Sequence, residues 1–314
     1  MHTAFLSIVC QVENGADRHE LVSALPELQA WLALNFQDYE IILINNQAES
    51  RLAEDLAALS EEVRPHLHLI TLSNRTDRNH AWLAGLDRAN GDYTLLLETP
   101  MIQRTDLLDS LYAESQNGND IVYLRASKRN AKQAGLLYRL FYWILRRYSD
   151  LEVDELAHHT RLFSRRALNS LLRLRENLRY FKAVFSLVGY RSFAVLSDIP
   201  LKSAETFQQR FRTSLLAITS YTSFLRVLMG WIFLGSFIFL LIVSSNALLV
   251  RFAGMDLTGQ SVEAVSGWTY LVLLIAVFFA VTCLNLYIMS IYLSNIYQEI
   301  KQRPLYIIES IKRF

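Results

Sequence analysis

Apolar and polar positions along the first hundred residues follow two rhythms. Residues 4–12 (AFLSIVCQV), 39–45 (YEIILIN), 67–73 (LHLITLS) and 92–98 (DYTLLLE) are short, nearly unbroken apolar runs. Runs of this length predict strands buried on both faces. Between the first two, residues 17–35 carry Leu21, Leu25, Leu28 and Leu32 at three- and four-residue steps, the spacing of one helix face. Residues 49–62 and 79–89 also read as helices, the latter closed by Asn90-Gly91, a stop signal. Strand alternating with helix predicts an α/β fold with a doubly wound, mainly parallel sheet. Such sheets bind ligands beyond the carboxyl ends of their strands. Those ends are Gln11-Val12-Glu13-Asn14, Asn45-Asn46-Gln47 and Glu98-Thr99-Pro100, which the topology gathers at one crevice.

The pattern changes beyond residue 120. Residues 135–149 (GLLYRLFYWILRRYS) predict a helix with a wide aromatic and aliphatic face, flanked by Arg139, Arg146 and Arg147. It suits a helix lying in a membrane interface, and equally one packed on the sheet with a basic outer side. Residues 206–226 read as a second amphipathic helix, leading into 227–250, which holds no charged residue; 268–293 holds none either. At about 1.5 Å per residue, each run is long enough to cross a hydrocarbon core of roughly 30 Å. Only Arg251 is basic in the connector 251–267, whereas Arg210, Arg212 and Arg226 precede the first run and Lys301, Arg303, Lys312 and Arg313 follow the second. The positive-inside rule then places the large N-terminal region and the tail on the cytoplasmic side of a membrane crossed twice. The tail 296–314 resumes an amphipathic pattern after Arg303-Pro304 and is expected to lie back on the cytoplasmic membrane face. No cleavable signal peptide is expected, since the first apolar run is short and lacks a positive leader.

The resulting segments are 1–124, a nucleotide-binding half; 125–203, a membrane-facing half; 204–226, a juxtamembrane helix; 227–295, two membrane helices; and 296–314, an amphipathic tail. A net charge of +1 argues against nucleic-acid binding by bulk charge. Locally, 125–182 is strongly basic, with fourteen Lys or Arg against five acids, and would attract lipid phosphates. Cys10 and Cys283 imply no disulfide framework. His158-His159 is a poor metal pair, because adjacent residues rarely point the same way, and no zinc site is expected. Asn246 and Asn285 are candidates for hydrogen bonds between membrane helices or chains.

The order of Ile-Val-x-Val-x-Asn-like first strand, YEIILIN, NHAWLAGLDRANGDY running into LLLE, RLFSRRA (161–167) and two terminal apolar runs resembles the membrane-anchored family-2 glycosyltransferases that act on polyprenyl phosphates. The resemblance spans nearly the whole chain and implies a GT-A-like fold. It implies transfer of a sugar, with inversion, from a nucleotide-sugar to a lipid phosphate at the inner membrane's cytoplasmic face. A homo-oligomer, a tetramer in related enzymes, is implied as well. The departures from the family pattern all lie in its acids. Where the family has Asn-Glu after the first strand, this chain has Glu13-Asn14-Gly15. The Asp-Asp that holds the nucleoside is Asn45-Asn46, and the Asp-x-Asp that holds metal and diphosphate is Glu98-Thr99-Pro100. The acid near the acceptor is replaced at His158-His159, just before Arg161.

On this resemblance Gln11, Glu13, Asn45, Asn46 and Glu98 are expected to hold the nucleotide-sugar, and Arg125, Lys128, Arg129 and Arg161 the phosphates. Glu98, His159 and Arg161 are the catalytic candidates. A single Glu98 would hold Mg²⁺ or Mn²⁺ weakly, because hard cations gather several oxygens. Basic residues are then one way to carry the diphosphate charge, and Glu13 with Glu98 as a relocated acidic pair is another. Both glutamates also fit plain solvated loops. An inactive relative that binds a lipid-linked sugar or a partner, and a membrane scaffold without ligand, remain as alternative functions.

Overall fold

In the computed structural model, the structure describes residues 1–46, 51–127, 136–149, 153–174, 185, 189–200, 214–215, 217–219, 222–255, 257–260, 267–300 and 304–314. One eight-stranded sheet organises them: β1 (Leu6–Val12), β2 (Tyr39–Asn45), β3 (Leu67–Leu72), β4 (Tyr93–Leu97), β5 (Ile121–Ala126), β6 (Ala157–Ser164), β7 (Ser192–Ser197) and β8 (Ile308–Arg313). Their order across the sheet is β7-β5-β6-β4-β1-β2-β3-β8. The four strands read from the sequence form its parallel centre, β4-β1-β2-β3. β6 inserts antiparallel between β4 and β5, and β8 runs antiparallel to β3.

The central runs are buried on both faces, as their composition requires. Leu6, Ile8, Cys10 and Val12 of β1 meet α1 (Gly15–Asn35), α2 (Leu52–Ala57) and α4 (Thr105–Gln116) on one side. Val9 meets α3 (Arg78–Leu86) and α6 (Arg165–Arg173) on the other. The leucines of α1 that set its period, Leu21, Leu25, Leu28 and Leu32, are all fully enclosed. Burial without a charged partner also pushes the Cys10 thiol up to about 12, which keeps it a thiol rather than a reactive thiolate.

Three local expectations differ from the structure. Asn90-Gly91 does not end α3, which stops at Leu86 and is capped by Asp87. Gly91 instead lies against the start of β1: a Cβ there would fall 2.7 Å from the Phe5 carbonyl, the Ser7 amide and the Tyr93 carbonyl. The tail does not remain a separate amphipathic segment, because its last residues become β8 at the sheet edge. Alternating side chains fit a strand edge as well as a helix face over so few residues, and pairing with β3 decides between them. Finally, the division at 124/125 cuts through β5, so one sheet runs across both proposed halves.

The helix expected over 135–149 forms as α5 (Leu136–Tyr148); Phe141, Tyr142 and Leu145 pack inward, while Leu140 and Trp143 are exposed. Its C-terminus is tied to the first long apolar helix, α7 (Phe224–Ala253). The Ser223 amide donates to the Tyr148 carbonyl at 3.0 Å, and the Tyr148 and Phe224 rings meet edge to face. The second long helix, α8 (Trp268–Ile300), is joined to the same region by Asn295, which donates to the Thr219 hydroxyl at 2.9 Å. Both α7 and α8 are long and apolar enough to cross a membrane, over Phe224–Val250 and Val277–Tyr297. Asn246 does not bridge helices; its side-chain oxygen accepts from the Leu257 amide in the connector. The helix read over 206–226 lies largely outside the described residues.

Candidate active site at the carboxyl edge of the sheet

The parallel centre brings the ends of β1, β2 and β4 together, and the side chains there divide between the two faces by strand alternation. β1 and β4 are paired Cys10 to Leu97, and β4 and β6 are paired Leu96 to Arg161. Continuing those registers by one and two residues sets Gln11 beside Glu98 and Glu98 opposite His159. This row lies on the face covered by α3.

Glu98 completes the sheet where the ladder ends. Its Oε2 accepts from the His159 amide at 2.9 Å and the Thr160 amide at 3.2 Å. In return, the Glu98 amide donates to the Thr160 hydroxyl at 3.1 Å. A carboxylate receiving two backbone N–H groups holds the end of β6 against β4. Only Oε1 is left to face a ligand.

Glu13, one residue past β1, is gripped by Arg78 at the start of α3. The guanidinium forks both carboxylate oxygens, with Nη2 to Oε2 at 2.9 Å. Asn14 caps α1 by accepting from the Asp17 amide. Asp17, whose carboxyl is raised above its ordinary value by burial, accepts the Glu13 amide. Glu13 and Glu98 therefore do not act as a relocated acidic pair, because each is already committed to a different partner.

Asn45 is buried at the end of β2. Asn46 is used structurally: its side chain exchanges hydrogen bonds with Thr76 in the loop between β3 and α3. Of the expected phosphate ligands, Lys128 and Arg129 lie outside the described residues. Arg125 is paired with Asp154 at 2.8 Å. Arg161 does not reach a surface anion either; it is 4% exposed, with its guanidinium 3.8 Å from the Phe185 ring centre and donating to the His158 carbonyl. Burial pulls its pKa down to about 10, with Tyr123, Glu98 and Asp154 opposing the shift, so it stays charged at neutral pH. His158 and His159 point apart, as neighbours on a strand must: His158 reaches the Ile199 carbonyl, and the His159 ring lies 4.9 Å from Trp82.

These commitments decide the fit of a divalent ion. A Mg²⁺ or Mn²⁺ bridging a diphosphate needs several hard oxygen donors on one side. Here Glu98 has one oxygen to offer, Pro100 brings no side-chain oxygen, and Glu13 is saturated by Arg78. Among the described residues the donor set does not fit that ion.

Sequence reading missed Arg78, Thr76 and Trp82. Arg78 did carry a signal. It is the first residue of α3 after the Asp77 cap, and the positive end of a helix dipole disfavours a cation there.

The glycosyl transferase family 2 model matches residues 20–172. The chain is 27% identical to the uncharacterized glycosyltransferase sll0501 of Synechocystis sp., over 98% of this chain and 96% of that one. It is 25% identical to the SfII prophage-derived bactoprenol glucosyl transferase of Shigella flexneri, over 88% and 89%. Among solved structures, the mannosyltransferase PcManGT of Pyrobaculum calidifontis, in complex with GDP-Man and Mn²⁺, aligns at TM-score 0.44 and 11% identity, over 68% of this chain and 61% of that one.

Proposed function

With a glycosyltransferase family 2 domain over residues 20–172, we propose that this chain is a membrane-anchored glycosyltransferase. It moves one sugar from a nucleotide-sugar to a polyprenyl phosphate, and works at the cytoplasmic face of the inner membrane. The observation that carries the acceptor is the tie between α5 and the first apolar helix: the Ser223 amide, at the head of that helix, is bonded to the Tyr148 carbonyl at the end of α5. This tether supports an interfacial α5, with Trp143 and Leu140 turned to lipid. A cavity of about 380 Å³ lined by Arg139, Trp143, Arg146 and Arg147, among others, suits anionic headgroups. The pairing of β8, which follows the second apolar helix, with β3, which precedes the first, supports two crossings with both flanks on one side.

The chemistry asks little of a general base, because the acceptor phosphate is already anionic near neutral pH. An acid at the His159 position is therefore dispensable. Charge on the departing nucleoside diphosphate needs stabilisation instead. Gln11 and the Glu98 Oε1, with Asn45 at the end of β2, are the polar groups proposed to orient the donor. The opposing reading, an inactive relative that keeps the fold, is favoured by the internal engagement of Glu13, Asn46 and Glu98.

One assay separates them. The purified protein in detergent is given undecaprenyl phosphate and a panel of UDP- and GDP-sugars, and the lipid extract is read by mass spectrometry. A lipid monophosphate-sugar formed with one donor is the expected result. No product with any donor from a protein that still melts cooperatively overturns the transferase reading and leaves the inactive one.

A further inference from the structure

Arg78 occupies the first position of α3, the end of the helix dipole that disfavours a cation. It is held there by two anchors. Its fork closes on Glu13, and its guanidinium lies 5.7 Å over the Trp82 ring. The Asn46–Thr76 exchange fixes the loop that delivers it. On the same face of β1, two residues before Glu13, Gln11 is 6% exposed, and both atoms of its amide find no hydrogen-bond partner among the described residues. A buried amide left open is unfavourable unless a bound group completes it. Cation, helix N-terminus and open amide thus lie on the same α3-covered face of the carboxyl edge, where the acids among the described residues do not fit a metal.

Resting on the transferase reading, we propose that Arg78 is the diphosphate-binding group of this site, standing where a metal would otherwise bridge the donor, and that Glu13 is its counter-ion when no donor is bound. A guanidinium presents planar paired donors that match two phosphate oxygens as they match the two oxygens of Glu13. The dipole of a nine-residue helix adds to the same pull on an anion, although its Asn79 amide is already held by the Asp77 cap. On binding, the diphosphate displaces the Glu13 carboxylate from the fork. In the transfer, the bond from the anomeric carbon to the diphosphate oxygen breaks, and its electron pair stays on that oxygen. An oxygen of the acceptor phosphate forms the new bond to the carbon. Arg78 meets the charge that builds on the leaving oxygen.

The test is calorimetric titration of the full chain in detergent with UDP and with GDP, in EDTA, beside the transfer assay. Wild type binds one of the two without metal. Arg78→Gln weakens that binding by at least about tenfold, the scale of lost charge-assisted hydrogen bonds, and Arg78→Lys falls between. Glu13→Gln binds more tightly, because the competing carboxylate is gone. A merely structural ion pair predicts weaker binding in both Arg78→Gln and Glu13→Gln, so that outcome overturns the proposal, as does wild-type binding that requires Mn²⁺ or an unchanged Arg78→Gln. Absence of UDP and GDP binding by wild type in EDTA overturns it too. Transfer that persists only with Mn²⁺ removes the Arg78 role and leaves the transferase reading standing. Arg78-dependent binding without transfer from any donor removes the transferase reading and leaves the diphosphate site.

Discussion

Asn46 and Thr76, thirty residues apart, clamp the end of β2 to the loop that leads into α3. The Thr76 amide donates to Asn46 Oδ1 at 2.9 Å, and Asn46 Nδ2 donates to the Thr76 carbonyl at 2.9 Å. The pairing uses the amide's ability to give and receive at once, which an aspartate at this position lacks when ionised. Here an asparagine that the sequence presents as a nucleoside ligand is a building element of the loop carrying Arg78.

Asn46→Ala removes both bonds and leaves the Thr76 amide open. A loss of about 1–3 kcal/mol is expected, read as a lower urea midpoint with an unchanged slope. Asn46→Asp keeps the acceptor but loses the donor, and its midpoint should fall between wild type and alanine.

Glu98 separates a structural from a metal-binding carboxylate. Its Oε2 satisfies two backbone amides of β6, and an amide oxygen can take the same two bonds. Glu98→Gln should keep transfer within about tenfold of wild type. Removal of a metal ligand typically costs far more, so a loss of several hundredfold would show that Oε1 holds an ion.

Two glycines predict unequal penalties. A Cβ on Gly85 would meet Val9 Cγ1 at 2.5 Å and Ile44 Cδ1 at 2.6 Å, both side-chain atoms that can shift. Gly85→Ala should cost about 1–3 kcal/mol, the range of modest overpacking. Gly91→Ala would meet three backbone atoms at 2.7 Å, which cannot move without parting β1 from β4. Thermal melts should rank Gly91→Ala as clearly the worse.

Asp120 gives a pH signature. Burial raises its carboxyl, but hydrogen bonds from Arg166 and Ser164 outweigh this and hold it below the usual 3.8. A carboxyl depressed in the folded state stabilises above its unfolded pKa, and loses that contribution as the pH falls through the folded value. Asp120→Asn should therefore lower the urea midpoint at pH 7. The gap to wild type should close progressively as the pH drops below about 4. An equal gap at both ends of the range would deny the ionic role.

The chain's hydrophobic rhythm was enough to read β1 to β4, α1, α3, α5 and both long apolar helices, because each is fixed by its own periodicity or length. β6 and β8 were not legible in that way. Their residues carry mixed patterns, AHHTRLFS and IESIKR, and they become strands only because β4 and β3 offer open edges. The same limit applies to the site. Sequence order placed Gln11, Glu13, Asn45, Asn46 and Glu98 at one sheet edge, since strand ends in a parallel sheet must gather there.

What those side chains do was decided by neighbours far along the chain. Glu13 meets Arg78 from 65 residues away, and Glu98 meets His159 from 61 residues away. Arg161, expected from the resemblance to hold phosphate, is enclosed by Phe185 and Tyr123. The sequence by itself determined the parallel centre of the sheet, the two long apolar helices and the edge where the candidate residues gather, because local pattern controls burial. Only the tertiary structure decided which polar groups face a ligand and which hold the scaffold, because hydrogen bonds and ion pairs depend on distance in space rather than along the chain.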